Sequence, residues 1–250
     1  MHVLIVYAHP ERRSFNGALT DVTIDTLTGA GHGVEVADLY AEGFDPIERP
    51  AHYPDRADPA VFAPLTEQRH AWESDALPSG IRSEIERLER ADLVIFQYPL
   101  WWHAQPAILK GWIDRVFVYG GLYTGSLRYD YGYFRGRRAL CSVTTGAPRA
   151  AFSRYGRNGH MEHLMLGMHY SLYYVGYDVL APFVAYGIQG GGLVYQEEQR
   201  FRKQLDHYLE DWARRLEHVA TDVPIPFTGW ADWDERGVIH HDHPARWNLQ

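Results

Sequence analysis

The 250-residue sequence holds one cysteine, Cys141, so neither an intramolecular disulfide nor a cysteine-based metal cluster can form. Set in an apolar stretch, that thiol reads as an inert core residue. Positive charge is in deficit. The 24 Lys and Arg face 32 Asp and Glu, a formal charge of -8, which opposes binding to a phosphate backbone and removes nucleic acid from the expected partners. No run approaches the roughly 20 apolar residues that span a bilayer. The apolar start at residues 3–8 is broken at Pro10 and followed by Glu11, Arg12 and Arg13, whereas a secretory leader carries its charge first. The expectation is a cytoplasmic protein with no stable membrane insertion. Glycine-rich nucleotide loops are missing too: there is no G-x-G-x-x-G and no Walker A pattern.

What is present is apolar and aromatic. Apolar residues make up 46% of the chain, enough for a substantial core, and 8 Trp with 17 Tyr supply flat surfaces for a core, a subunit contact or a planar ligand. Residues 3–7 form a continuous apolar run, the pattern of a strand covered on both faces. A helix capped by Ser14 runs on to about residue 28, and Gly29, Gly31 and Gly33 turn the chain into a strand at 34–39. Further strands are expected at 92–98, 138–144 and 179–186, with helices at 81–90, 107–117, 161–175 and 197–218. Strands alternating with helices predict a three-layer α/β fold with a five-stranded parallel sheet, and five strands fit the flavodoxin-like order 2-1-3-4-5. Segment 43–78, with several prolines and little periodicity, reads as a long surface excursion. Residues 1–220 are expected to form one domain. Residues 221–250 read as a C-terminal extension packing on that domain or on a partner subunit.

In such a sheet, ligands bind beyond the carboxyl ends of the strands. Three loops are expected there. The first contains His9, Arg13, Ser14, Phe15 and Asn16 and points a helix amino terminus at the sheet edge, a setting that suits a pyrophosphate; the alternative for Ser14 is the role of helix cap alone. The second is Pro99, Leu100, Trp101, Trp102 and His103. Two adjacent Trp cannot both point into a core, so one covers a flat heterocycle or a subunit contact. The third is Thr144, Thr145, Gly146 and Ala147, whose small residues let backbone N–H groups approach a ligand closely.

Together these segments resemble the NAD(P)H:quinone oxidoreductase family, the flavodoxin-like enzymes that include the mammalian DT-diaphorases. The likeness runs through Leu4-Ile5-Val6-Tyr7-Ala8-His9 with Ser14-Phe15-Asn16, through Asp38-Leu39-Tyr40 and through Phe44-Asp45-Pro46-Ile47. Its strongest part is Ala91-Asp92-Leu93-Val94-Ile95-Phe96-Gln97-Tyr98-Pro99-Leu100, followed by Trp102 and Pro106-Ala107-Ile108-Leu109-Lys110-Gly111-Trp112. Thr144-Thr145-Gly146 and Pro224-Ile225-Pro226 extend it over nearly the whole chain. The resemblance implies a homodimer with one FAD per subunit and two interface active sites. NAD(P)H would reduce the flavin and leave before a quinone takes the hydride from the same face. It also implies that His9, Ser14, Phe15 and Asn16 meet the pyrophosphate and ribityl chain of FAD. Residues 99–103 and 144–146 would hold the isoalloxazine, and Tyr123 and Tyr174 would join Trp102 in the substrate pocket, Tyr123 reaching across from the partner.

The sequence departs from the family pattern in two places. The family's Tyr–His pair, which manages protons on the reduced flavin, is represented by Phe152 and Asn158, neither of which shuttles a proton. Tyr155, His160 or solvent is expected to take that role. Trp101 stands where the best-known members have Gln and makes the pocket wall more apolar. No metal is expected: of a structural metal site known in the family, only His169 is kept in type, with Tyr173 and Phe227 at the other positions. His240-His241-Asp242-His243 reads as a tail segment rather than a metal site, and Gly190-Gly191-Gly192 as a turn. FMN in place of FAD, azo, nitro or natural-product quinone acceptors, and a regulatory role beside a membrane transport system are the alternatives.

Overall fold

The computed structural model describes residues 1–188, 194 and 196–240. Its sheet is parallel throughout. Strands β1 (His2–Tyr7), β2 (Gly33–Asp38), β3 (Leu93–Pro99), β4 (Arg138–Thr144) and β5 (Asp178–Val179) lie in the order β2-β1-β3-β4-β5. The order is the expected one, but the last strand is divided. Residues 178–179 and β6 (Phe183–Ala185) each pair with β4, which gives six strands in place of five. Pro182 lies between the two pieces and has no N–H to donate to a ladder. The carbonyls of Ala181 and Pro182 instead accept from the Arg215 guanidinium.

Helices cover both faces. On one side α1 (Phe15–Gly29) and α6 (Glu198–Glu217) enclose Ile5, Tyr7, Leu19, Ile95 and Trp212. On the other, α3 (Ser79–Arg90), α4 (Ala107–Val116) and α5 (Met161–Tyr174) pack over Leu4, Val6, Phe96, Trp112 and Met165. Every residue of β3 is buried, which is why its sequence is a continuous apolar run rather than an alternating one. Cys141 is buried in β4, and burial pushes its thiol pKa up to about 12, consistent with an inert core residue. Among the described residues no helix is long and apolar enough to cross a membrane.

Trp212 fixes α6 to α1. Its buried indole N–H donates to Thr23 Oγ1 at 2.8 Å and to the Leu19 carbonyl at 3.2 Å. Trp212→Phe keeps a ring but abandons both bonds, and should cost about 1–2 kcal/mol of stability. Urea unfolding measures this directly; an unchanged midpoint would show that the indole N–H contributes nothing.

Segment 43–78 is not the surface excursion its sequence predicts. It contains helix α2 (Pro64–Glu73), and Tyr53, Ala71 and Leu77 join the core. The helix escapes detection because its buried face is largely polar. Glu67 is buried and accepts from the Ala57 N–H at 2.8 Å. Gln68 is buried as well: its amide donates to Glu48 Oε2 at 3.0 Å and to the Asp114 carbonyl at 3.1 Å, while Tyr119 N–H donates to its Oε1. Polar groups satisfied by fixed partners carry no apolar periodicity.

The described part of the tail lies against α5 and β5. Ile225 N–H donates to the Val179 carbonyl, and Tyr173 O–H donates to the Thr228 carbonyl, each at 2.8 Å.

Candidate active site at the sheet edge

The loops after β1, β3 and β4 meet at the carboxyl edge of the sheet through a buried polar chain. Gln97 Nε2 donates to Asn16 Oδ1 and Asn16 Nδ2 donates to Thr144 Oγ1, both at 2.9 Å. Leu100 N–H donates to the Thr144 carbonyl at 2.8 Å. Asn16 is only 3% exposed, so its side chain ties the three loops together from inside. Gln97 was legible as an anomaly, a lone amide in an apolar strand, yet sequence reasoning passed over it.

The first loop closes tightly on α1. Ser14 has the extended backbone of an N-cap, and its Oγ accepts from Gly17 N–H at 3.3 Å. Gly17 has to be glycine, because a Cβ there would stand 1.8 Å from the Arg12 carbonyl oxygen. Arg13 turns to solvent, 89% exposed, where it forks onto Glu11 at 3.0 Å and holds that carboxyl down at about 2. The Arg13 guanidinium, expected to add a charge-assisted donor to a pyrophosphate, thus pairs with Glu11 two residues away. His9 uses Nδ1 to accept from Glu11 N–H at 3.0 Å, and its ring lies 6.0 Å from that of Trp101. Phe15 meets Tyr208 edge-on, with ring centroids 6.4 Å apart.

The second loop is strained. Paired backbone bonds between Trp101 and Ala104, 3.0 and 3.1 Å, close a two-residue turn whose central residues both have positive φ, 51° at Trp102 and 63° at His103. Asn-Gly occupies such a turn easily; Trp-His does so at a cost of about 1–3 kcal/mol per residue. Trp102 is also 96% exposed, an unusual setting for the largest apolar side chain. Strain and exposure together make this turn a candidate ligand or subunit contact. Among the described residues, the N–H groups of Trp102 and His103 donate to no protein acceptor.

In the third loop Thr145 is committed: its N–H donates to the Ala185 carbonyl and its hydroxyl to the Ala147 carbonyl, both at 2.9 Å. The Gly146 N–H has no acceptor among the described residues. Gly187 N–H donates to the Ala147 carbonyl, and beyond it opens a cavity of about 480 Å³ lined by Pro148, Arg149, Tyr186, Arg200 and Tyr208.

Tyr123 and Tyr174 are brought together elsewhere. Their rings meet edge to face at 5.5 Å on the wall of a cavity of about 570 Å³, with Leu65, Ile113, Phe117 and Tyr129. No residue of the three sheet-edge loops lines it, so one chain keeps Trp102 and this tyrosine pair in separate places.

The residues considered for proton handling are dispersed. Phe152 is buried with its ring 5.8 Å from that of Tyr186, and it shares a cavity of about 520 Å³ with His160. His160 Nδ1 is 3.7 Å from Glu162. Asn158 N–H donates to the Ala151 carbonyl at 2.9 Å, and Tyr155 is 91% exposed. Neither of these two lines that cavity.

At the positions of the family's metal ligands, Tyr173 and Phe227 stack face to face, 4.4 Å apart and 10° from parallel. His169 is buried beside them on α5, and burial lowers its pKa to about 4. His241, Asp242 and His243 of the tail, like Gly190, Gly191 and Gly192, lie outside the described residues.

A family model described as "Flavodoxin-like fold" matches residues 1–211. The chain is 37% identical to human ribosyldihydronicotinamide dehydrogenase [quinone], over 92% of this chain and 96% of that protein. It is 38% identical to rat NAD(P)H dehydrogenase [quinone] 1, over 90% and 79% of the two chains. Among solved structures, the NAD(P)H:quinone oxidoreductase from Methanothermobacter marburgensis superposes with a TM-score of 0.67 at 28% identity, covering 90% of this chain and 99% of that one. The parallel sheet, the family model over residues 1–211 and 37% identity over 92% of the chain leave one assignment: this chain belongs to the NAD(P)H:quinone oxidoreductase family of flavodoxin-like proteins.

Proposed function

We propose that the protein is a homodimeric, FAD-dependent NAD(P)H dehydrogenase (quinone) that passes a hydride from NAD(P)H to quinone-like acceptors in a ping-pong cycle. The observation that carries this reading is the strained, exposed Trp102–His103 turn beside Gly146, with backbone donors uncommitted on both loops. These residues fit a flavin. Trp102 offers a flat wall, and the N–H groups of Trp102, His103 and Gly146 suit the polar edge of an isoalloxazine, where they would favour negative charge. The amino terminus of α1, with Phe15 and Asn16, suits a pyrophosphate. The cavity holding Arg200 and Tyr208 offers room for an adenine half, which favours FAD over FMN. Bound FAD supplies two-electron hydride chemistry that side chains lack.

The chain's own contribution is placement. The Gln97–Asn16–Thr144 chain holds the three loops in register, so that donor and acceptor can occupy one pocket in turn. The separation of the two aromatic sets in one chain supports the homodimer reading: Tyr123 of a second chain would reach the pocket that Trp102 walls. Phe152 has no hydroxyl, so protons would pass through His160, Tyr155 or solvent.

The purified protein should be yellow, release FAD on denaturation as identified by chromatography, and oxidise NADH or NADPH when a benzoquinone is added. Colourless protein that takes up neither FAD nor FMN in a titration would overturn the proposal.

A further inference from the structure

The Tyr123–Tyr174 cavity carries a cation that neither the fold nor the family assignment explains. Arg128 Nη1 donates to the Tyr174 hydroxyl at 3.1 Å, which sets the guanidinium against a ring of the cavity wall without itself lining the cavity. Its Cζ lies over three rings, 5.5 Å from the centroid of Tyr129, 5.7 Å from Tyr174 and 5.1 Å from Trp230. Trp230 comes from the tail and is fixed in turn: its indole N–H donates to the Arg128 carbonyl at 3.1 Å, and its backbone N–H donates to Asp130 Oδ1 at 3.0 Å. Arg128 Nε is shielded from solvent without an acceptor.

Among the described residues no carboxylate stands within ion-pair distance of Arg128. The acidic side chains that line the same cavity are already engaged. Asp114 pairs with Lys110, while Glu48 accepts from Tyr53 at 3.1 Å and Gln68 at 3.0 Å, with Arg115 4.0 Å away. Aromatic faces hold a guanidinium in place but leave most of its N–H fork unspent. A partly desolvated cation with free donors beside two wall rings of an aromatic cavity is suited to a flat ligand that bears an anion.

We propose that Arg128 determines acceptor specificity by selecting aromatic acceptors that carry an anionic group, a carboxylate or an ionised ring hydroxyl. The inference rests on the proposed quinone reductase reading for its substrate, and on the cavity alone for its binding preference. Apolar contact with Tyr123, Tyr129 and Tyr174 would seat the ring system, and the Arg128 fork would take the anion. Trp230 acts as a positioning residue that holds the guanidinium against those wall rings.

Two measurements test this with the 250-residue protein. Calorimetric titration with naphthoate and with the uncharged naphthamide reads binding without turnover. Wild type should bind naphthoate roughly tenfold to a hundredfold more tightly, Arg128→Gln should erase that preference, and Arg128→Lys should retain part of it. Steady-state kinetics with a hydroxynaphthoquinone, anionic at neutral pH, and a neutral methylnaphthoquinone should show the ratio of their kcat/KM values falling roughly 30-fold in Arg128→Gln. A merely structural role for Arg128 would weaken both members of each pair alike and leave the ratios unmoved; that result overturns the proposal. If neither quinone is reduced by wild type, the functional reading fails, while the titration still decides the role of Arg128.

Discussion

Asn16→Ala should cost about 3–4 kcal/mol of folding free energy and abolish retention of flavin. Two buried bonds of 2.9 Å disappear together, and neither Gln97 Nε2 nor Thr144 Oγ1 has another partner among the described residues. A buried donor stripped of its acceptor loses its full desolvation cost, roughly 1–3 kcal/mol, rather than the smaller net value of the bond. The Gln97 Oε1 atom already lacks a donor, so the amide cannot improve its position by flipping. The functional loss follows from the same contacts. Asn16 lies at the start of α1, Gln97 in β3 and Thr144 at the end of β4, so removing the middle member frees all three loops at the sheet edge. Thr144→Val should cost less, about 1–2 kcal/mol, because the Gln97–Asn16 bond survives. Urea unfolding of flavin-free protein separates the stability term from ligand linkage, and a flavin titration reads the site. Unfolding of Asn16→Ala within 1 kcal/mol of wild type would show that the chain is not the clasp described.

How much of this was legible depended on where apolar side chains had to go. Residues 3–7, 92–98 and 138–144 were read within a residue or two of the observed strands, because a strand buried on both faces leaves an unbroken apolar signature. The division of the last strand was not read, although Pro182 was visible; the pattern on either side is apolar and short. Helix α2 was missed because Glu67 and Gln68 are buried by hydrogen bonds made over distances of 9 to 51 residues, which no local window registers. At the site, the rule that ligands gather beyond the carboxyl ends of the strands located the three loops. The positive-φ turn was invisible, since Trp-His bears none of the residues that signal one. The pairing of Arg13 with Glu11, two residues before it, was not read from the sequence. Arg128 was missed for a related reason: its three aromatic partners include Trp230, 102 residues away in a tail without periodicity.

Acid should weaken the fold through His169. The side chain is 4% exposed on α5, its Nε2 is buried without a partner, and desolvation lowers its pKa from 6.5 to about 4. With the folded pKa depressed, both states are neutral above pH 6.5 and the group imposes no pH dependence there. Below that value the unfolded chain takes up the proton first, so stability falls with pH until the folded state also protonates near pH 4. At 1.36 kcal/mol per unit, the loss summed over this window approaches about 3 kcal/mol. His169→Met fills similar space without a titrating group and should flatten the curve between pH 6.5 and 4. The chain holds thirteen other histidines, so the informative quantity is the difference between the two proteins' urea midpoints as a function of pH. Parallel curves across the window would mean that His169 is solvated enough to accept a proton in the folded state.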